Sequence, residues 1–225
     1  MGRIVTGKPQ IYSAGYLTSR AMLQNVSDLV KHHLSPHLAI GGPGARILDV
    51  GCGHGPYYEM LKEWRIVGVN IDRDDASPDV VGDGLCLPFK TDSLDAIICT
   101  QVIEHVRDPD LLVREIGRGL KSGGLLLLTG PMYWPLHEEP NDYWRFTKYG
   151  MKALLENNGF DLIELRDDGH AISLAVVVVN QLFRGWFFAP LRMVFNMGGL
   201  FAEKLICMRH CTANLSLVAR RKHEE

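Results

Sequence analysis

Apolar runs of strand length recur along the chain, each closed by glycine or a polar residue. Ile47-Leu48-Asp49-Val50 runs into Gly51-Cys52-Gly53-His54-Gly55, and Ile66-Val67-Gly68-Val69-Asn70-Ile71 stops at Asp72. Val80-Val81 runs into Gly82-Asp83-Gly84-Leu85, so that Asp83 closes a short third strand, and Leu94 to Cys99 and Leu125 to Thr129 complete the series. Unbroken runs of this kind predict parallel strands buried on both faces. Helical spacing lies between and before them. Leu17, Met22, Leu23, Val26, Leu29 and Val30 form one face of a helix over Tyr16 to His33. Tyr57 to Lys62 and Asp108 to Leu120 are further helices, the latter with Pro109 early and Gly119 near its end. Thr147 is the predicted N-cap of a helix over Lys148 to Asn158, stopped by Gly159. Residues 160–165 and 214–219 alternate apolar and polar and are expected to pair antiparallel.

That pairing makes residues 167–212 an insertion, far longer than a hairpin loop needs. It is apolar: Ala171 to Val179, Trp186-Phe187-Phe188 and Met193-Val194-Phe195 all fall within it. Arg184, Arg192 and Glu203 break it before any run reaches the ~18 residues of a membrane span. Four readings stay open: a cap over an acceptor, a peripheral membrane contact, a homodimer surface (the last two through residues 171–205), or additional core. A chain of 225 residues is expected to be a single domain. Its parts are an N-terminal helical segment (1–40), a ligand-binding core (45–166), the insertion (167–212) and a final strand (213–221).

Strand, tight glycine turn and following helix read as the start of an α/β nucleotide-binding unit. The dinucleotide fingerprint G-x-G-x-x-G requires glycine where Pro56 stands. Here the third glycine, Gly55, comes one residue early, and Asp49 precedes the first by two. This [DE]-x-G-x-G-x-G pattern resembles motif I of the class I S-adenosylmethionine-dependent methyltransferases. Gln101-Val102-Ile103-Glu104-His105-Val106 with Asp108-Pro109 resembles a further signature of their small-molecule branch, which includes the ubiquinone O-methyltransferases. Pro131 to Thr147 resembles a type 11 subgroup, many members of which occur with surface-polysaccharide or lipid pathways. The resemblance covers residues 45–165.

It implies a three-layer, Rossmann-like sheet of seven mostly parallel strands with the last antiparallel, and S-adenosyl-L-methionine as cofactor. Backbone amides of Gly51, Cys52 and Gly53, at the turn and helix N-terminus, would hold the cofactor carboxylate, and Asp49 would orient its ammonium group or hold the loop. Asp72, about 20 residues past the turn, suits the ribose hydroxyls. Asp83 with Gly84 would face the adenine edge, Leu85 would pack beside the ring, and Gln101 would complete the pocket. The leading helix often lies across the pocket in this family; simple packing on the sheet edge is the alternative.

The loop at residues 131–146 leaves a strand at its carboxyl end, where open α/β sheets bind ligands. His137 is the expected general base, with an ordinary pKa near neutrality. Asp142 would orient its imidazole, and Arg145 would bind an acidic group on the acceptor. Alternatively Asp142 and Arg145 pair with each other and pin the loop. Glu104-His105 is the second candidate pair. In ubiquinone-type enzymes an E-x-x-E-H segment is associated with a metal; Gln101 replaces its first acid, so no metal is expected. His137-Glu138-Glu139 is not a zinc-hydrolase H-E-x-x-H, because Asn141 occupies the second histidine position.

Composition adds little beyond exclusions. A formal charge of −2 gives no basic footprint, so nucleic acid is not the expected partner. Five cysteines, scattered through apolar segments, read as buried reduced thiols of a cytoplasmic protein, one that touches a membrane only peripherally if at all. Cys207, His210 and Cys211 lack a fourth ligand at zinc spacing. The start of the chain lacks a secretory h-region, and its match to the myristoylation pattern is read as chance. The expected activity is methyl transfer, at oxygen, to a small-molecule, glycan or lipid-like acceptor. The alternatives are an NAD(P)-dependent oxidoreductase on a related fold and a cofactor-binding protein without turnover.

Overall fold

The computed structural model describes residues 9–53, 55, 57–73, 77–183, 185–205 and 211–223. Pro56, Arg184, Cys207, His210 and the myristoylation-like residues 1–6 lie outside them. Seven strands form one sheet in the order β3-β2-β1-β4-β5-β7-β6. The strands are β1 (Arg46–Val50), β2 (Arg65–Asn70), β3 (Val80–Val81), β4 (Leu94–Thr100), β5 (Leu120–Pro131), β6 (Phe160–Asp168) and β7 (Asn214–Arg221). Only β7 runs antiparallel, against both β5 and β6, while the other pairings are parallel. This is the three-layer architecture expected from the sequence.

Alternation along the strands builds two cores. Leu48, Val50, Ile97, Cys99, Leu126 and Leu128 face helices α3 (Pro109–Gly119) and α4 (Lys148–Asn157). Ile47, Ala96, Ile98, Leu125 and Leu127 face the N-terminal helices. The caps form as their residue types dictate. The Asp108 carboxylate accepts from Leu111 N–H and the Thr147 hydroxyl from Gly150 N–H, which satisfies donors with no partner inside the helix.

Several elements differ from the expected ones. The leading helix does not end at His33: α1 (Tyr16–Leu29) passes through a π-turn at Val30–Leu34 into α2 (Ser35–Gly41). Buried Leu34 and Leu38 continue its apolar stripe over the sheet. The segment after the glycine turn is a single 3₁₀ turn, Tyr58–Leu61, rather than a helix. Two tyrosine hydroxyls there turn inward to Asp49 and leave too little chain before β2 for longer winding. Asp83 lies two residues beyond β3 in a turn, its carboxylate accepting from Leu85 N–H at 2.9 Å. Cys52 and Cys99 are buried as expected, but Cys86 is exposed in the turn that follows Asp83.

The insertion is a helical hairpin, α5 (Ala171–Leu182) and α6 (Ala189–Leu205), packed on α1. None of its described residues lines the central cleft. Its outer side chains face solvent, which removes the additional-core reading.

Candidate active site

A cleft of about 540 Å³ opens at the carboxyl ends of β1, β2 and β4. The glycine turn forms its floor, and Asp72, Asp83, Gly84, Leu85 and Gln101 line it together with Gly51, Cys52 and Gly53. Met22, Leu23 and Val26 of α1 form one wall, so the leading helix does border the pocket. Gly51 has φ +70°, and a Cβ there would sit 2.2 Å from Val102 Cγ2. Gly53 has φ +49° but open space around it.

Three amides of the turn are committed to its own geometry. Gly51 N–H and Cys52 N–H both donate to the Val69 carbonyl, at 2.8 and 3.1 Å, and Gly55 N–H donates to the Cys52 carbonyl at 2.9 Å. The polar groups offered to a ligand are therefore mainly side chains. Asp72 and Asp83 are two of them. Asn70, whose buried Nδ2 has no hydrogen-bond partner, is a third that pattern reading passed over as part of an apolar strand. Two carboxylate acceptors and one amide donor beside a glycine floor and apolar Leu85 and Val102 fit an adenosyl group with a charged tail.

Asp49 is not in the cleft. It is fully buried and accepts hydrogen bonds from the hydroxyls of Tyr57 (2.8 Å) and Tyr58 (2.9 Å), so it holds the loop instead of the cofactor ammonium. Burial raises its carboxyl to about 7 against the lowering effect of those hydroxyls. A carboxyl whose folded pKa is raised binds more protons folded than unfolded. The stability this contributes is complete below the unfolded value near 3.8 and is lost as pH rises through about 7. We expect the melting temperature to fall between pH 5 and pH 8, with Asp49 supplying on the order of 2–3 kcal/mol of that change. Asp49→Asn keeps an acceptor for the tyrosines and should flatten this dependence in a thermal melt. An unaltered pH profile in that variant would remove Asp49 from the account.

Gln101 closes β4 with φ +55°, a region that non-glycine residues seldom adopt. Its Nε2 donates to Thr129 Oγ1 and Asn214 Oδ1, at 2.9 and 2.8 Å. The amide thus ties β4 to β5 and β7 while the residue still lines the cleft. Glu138, on the opposite loop, also has positive φ (+53°) and also lines it. Such backbone strain collects at functional sites.

The loop after β5 brings His137, Glu138, Asn141 and Tyr143 to the cleft. Arg145 does not reach it. All five of its N–H donors are engaged, two with the Asp142 carboxylate at 2.7 Å each and the others with the carbonyls of Trp134, Pro135 and Trp144. No donor is left for an acidic group on an acceptor, so Arg145 is a positioning residue. Asp142 also accepts from the backbone N–H of His137 and lies 3.2 Å from its Nδ1. Burial raises the Asp142 carboxyl, but hydrogen bonds from Arg145 and His137 outweigh it and hold the group near 2. His137 is buried, and burial pushes its pKa down, so the ring is neutral near pH 7.

The second candidate pair of the sequence, Glu104 with His105, lies beside His137. Glu104 is completely buried, and neither carboxylate oxygen has a hydrogen-bond partner. Burial raises it to about 8, which makes it a neutral acid at pH 7. His105 Nε2 and His137 Nε2 lie 3.8 and 3.9 Å from Glu104 Oε1. The donor atoms of the three residues fall within 4.8 Å of one another, a spacing that one divalent cation or one water would close. The expectation of no metal rested on Gln101, but His137 supplies a third donor from another element. His105 Nδ1 is 2.6 Å from the Asn141 carbonyl. A carbonyl only accepts, so Nδ1 carries the proton and Nε2 holds the free lone pair.

A methyltransferase-domain family model matches residues 19–165, more than half of the chain. The chain belongs to the methyltransferase domain family. Its fold is that of the class I, S-adenosylmethionine-dependent methyltransferases. Curated relatives include the ubiquinone biosynthesis O-methyltransferase of Xanthomonas oryzae, 33% identical across 38% of this chain and 43% of that protein. They also include the probable tRNA methyltransferase 9B of Homo sapiens, 35% identical across 38% of this chain and 21% of that protein. The methyltransferase thus spans less than half the length of these relatives. Among solved structures, a putative sarcosine dimethylglycine methyltransferase from Galdieria sulphuraria superposes with TM-score 0.58 at 16% identity, covering 91% of this chain and 88% of that one. The [4+2]-cyclase SpnF superposes with TM-score 0.60 at 20% identity, covering 89% and 82%. A cyclase on this fold shows that the sheet alone does not determine the reaction.

Proposed function

We propose that the methyltransferase acts on a hydroxyl of a small acceptor with an apolar portion, and that His105 Nε2 takes the hydroxyl proton. One observation carries this reading: the hydrogen bond to the Asn141 carbonyl leaves a basic nitrogen at the cleft wall, backed by buried Glu104. The name of the Xanthomonas relatives, an O-methyltransferase, supports oxygen as the atom methylated. When bound, S-adenosylmethionine supplies a methyl group on a sulfonium, and Asp72, Asp83 and Asn70 would hold it. Methyl transfer needs little covalent help, so holding the acceptor hydroxyl against His105 and away from water is the protein's main contribution.

The test is incubation with methyl-labelled donor and matched panels of phenolic, aliphatic-alcohol and amine acceptors, followed by mass analysis of the labelled atom. Label on oxygen is expected; label confined to amines would overturn the reading. Asp72→Ala should weaken S-adenosylmethionine binding by about 10- to 100-fold in calorimetry, the worth of a charged hydrogen bond. Its melting temperature without ligand should match that of the parent chain. Unchanged affinity would move the ribose contact elsewhere, first to Asn70.

A further inference from the structure

The α5–α6 hairpin is built with its polarity reversed. Its inner seam holds Ser173, Asn180 and Asn196 beside Val177 and Gly199, all buried. Asn180 Nδ2 donates to Asn196 Oδ1 at 3.1 Å, and Asn196 Nδ2 donates to the carbonyls of Ile11 and Ser13 at 2.7 and 2.9 Å. The outer surface and tip are apolar: Trp186 is 87% exposed, Leu182 77%, Phe187 76% and Phe201 66%. A helix pair in water turns its apolar stripe inward and its polar face out. Amide pairs inside and aromatic side chains outside suit a medium poorer in water. No described helix is long and apolar enough to cross a membrane, so the contact such a hairpin suits is an interfacial one.

Charge selects the occupant. Residues 171–212 carry Arg184, Arg192, Lys204 and Arg209 against Glu203 alone, in a chain whose overall formal charge is −2. The Glu203 carboxylate accepts a hydrogen bond from the Ser173 hydroxyl. A second copy of this chain would bring the same excess of basic residues to the contact and so gain no charge complementarity. Anionic headgroups would neutralise them while acyl chains receive the aromatic tip.

We propose that this hairpin docks the methyltransferase on an anionic lipid surface, with Trp186 and Phe187 leading. The contact has a consequence for the cleft, because α1 serves both. A Cβ on Gly199 of α6 would meet Leu17 Cδ1 of α1 at 2.6 Å, so the two helices pack closely. Met22, Leu23 and Val26 of the same α1 wall the cleft. A seated hairpin therefore holds that wall near the lipid, within reach of an acceptor carried there.

The proposal goes beyond the methyl-transfer reading, and its test requires no turnover. The full chain is floated with phosphatidylcholine vesicles, with and without phosphatidylglycerol. Binding to the anionic vesicles, weakened by high salt, is expected. The triple variant Trp186→Ser, Phe187→Ser, Phe201→Ser should lower the bound fraction about tenfold or more. It should retain the rise in melting temperature with S-adenosylhomocysteine, which reports an intact cleft. Brominated acyl chains should quench tryptophan fluorescence in the parent chain and much less in Trp186→Phe, a variant that keeps an aromatic ring. Failure of the parent chain to float, or equal quenching in both chains, would overturn the proposal. So would a solution dimer that the triple variant splits while vesicle binding is unchanged, which would assign the face to a second copy. A chain that floats but methylates only amines would fail the reading above and leave this one standing.

Discussion

His105→Ala should slow methyl transfer by about 10²- to 10⁴-fold, the range for loss of a positioned general base, while S-adenosylmethionine affinity stays within about twofold of the parent. The argument is geometric. Of the two cleft histidines, His137 has its backbone N–H bound to Asp142 and that carboxylate 3.2 Å from its Nδ1. His105 instead spends its Nδ1 proton on Asn141 and presents Nε2 beside Glu104 and Glu138, at 3.8 and 3.9 Å. Turnover measured on the acceptor that takes label fastest, with donor affinity measured in parallel, separates the two histidines. A large loss in His137→Ala with little in His105→Ala would return the base to His137. Dialysis against a chelator divides the roles of the cluster. Unchanged turnover leaves it to proton transfer, whereas a loss restored by a divalent ion assigns Glu104, His105 and His137 to a cation.

Gly51→Ala should abolish detectable S-adenosylmethionine binding and lower the melting temperature, whereas Gly53→Ala should do neither to the same degree. Both glycines have positive φ, which costs an L-residue roughly 1–2 kcal/mol. They differ in what surrounds them. A methyl group at Gly51 meets Val102 Cγ2 at 2.2 Å, so the turn or the segment after β4 must shift, at a further cost of about 1–3 kcal/mol. At Gly53 the nearest atom is the Gly51 carbonyl oxygen at 3.9 Å. Thermal melts with and without S-adenosylhomocysteine read both quantities. Equal effects of the two substitutions would show that backbone strain alone governs the turn and that Val102 yields freely.

The sheet was legible in the chain because its signals are local. Strand runs closed by Gly51, Asp72 and Gly82 carry their period and their stops within a few residues. The caps Asp108 and Thr147 act on N–H groups three residues away, and both form as predicted. The acids were harder to place. Asp49, Asp72 and Asp83 look alike in sequence, yet Asp49 turns inward because Tyr57 and Tyr58 fold back over it. Arg145 carried the mark of an anion-binding residue, but three backbone carbonyls and Asp142 consume its donors. Which neighbours compete for a charged group is a property of folded geometry, and no spacing rule reports it.

By itself, then, the order of residues determined the sheet and the glycine turn, since both rest on backbone conformation and periodicity set by neighbours along the chain; the cofactor class followed from the resemblance of that turn to a known family. The tertiary structure alone decided two other matters. It assembled Glu104, His105 and His137 from loops after different strands, so that a buried carboxyl stands behind a basic nitrogen. It also decided which side of the apolar hairpin faces outward, because α1 and residues 11–13 occupy the polar seam and leave the aromatic side to the surroundings. Both depend on contacts between distant segments, whose burial and pairing follow from packing and not from any local pattern.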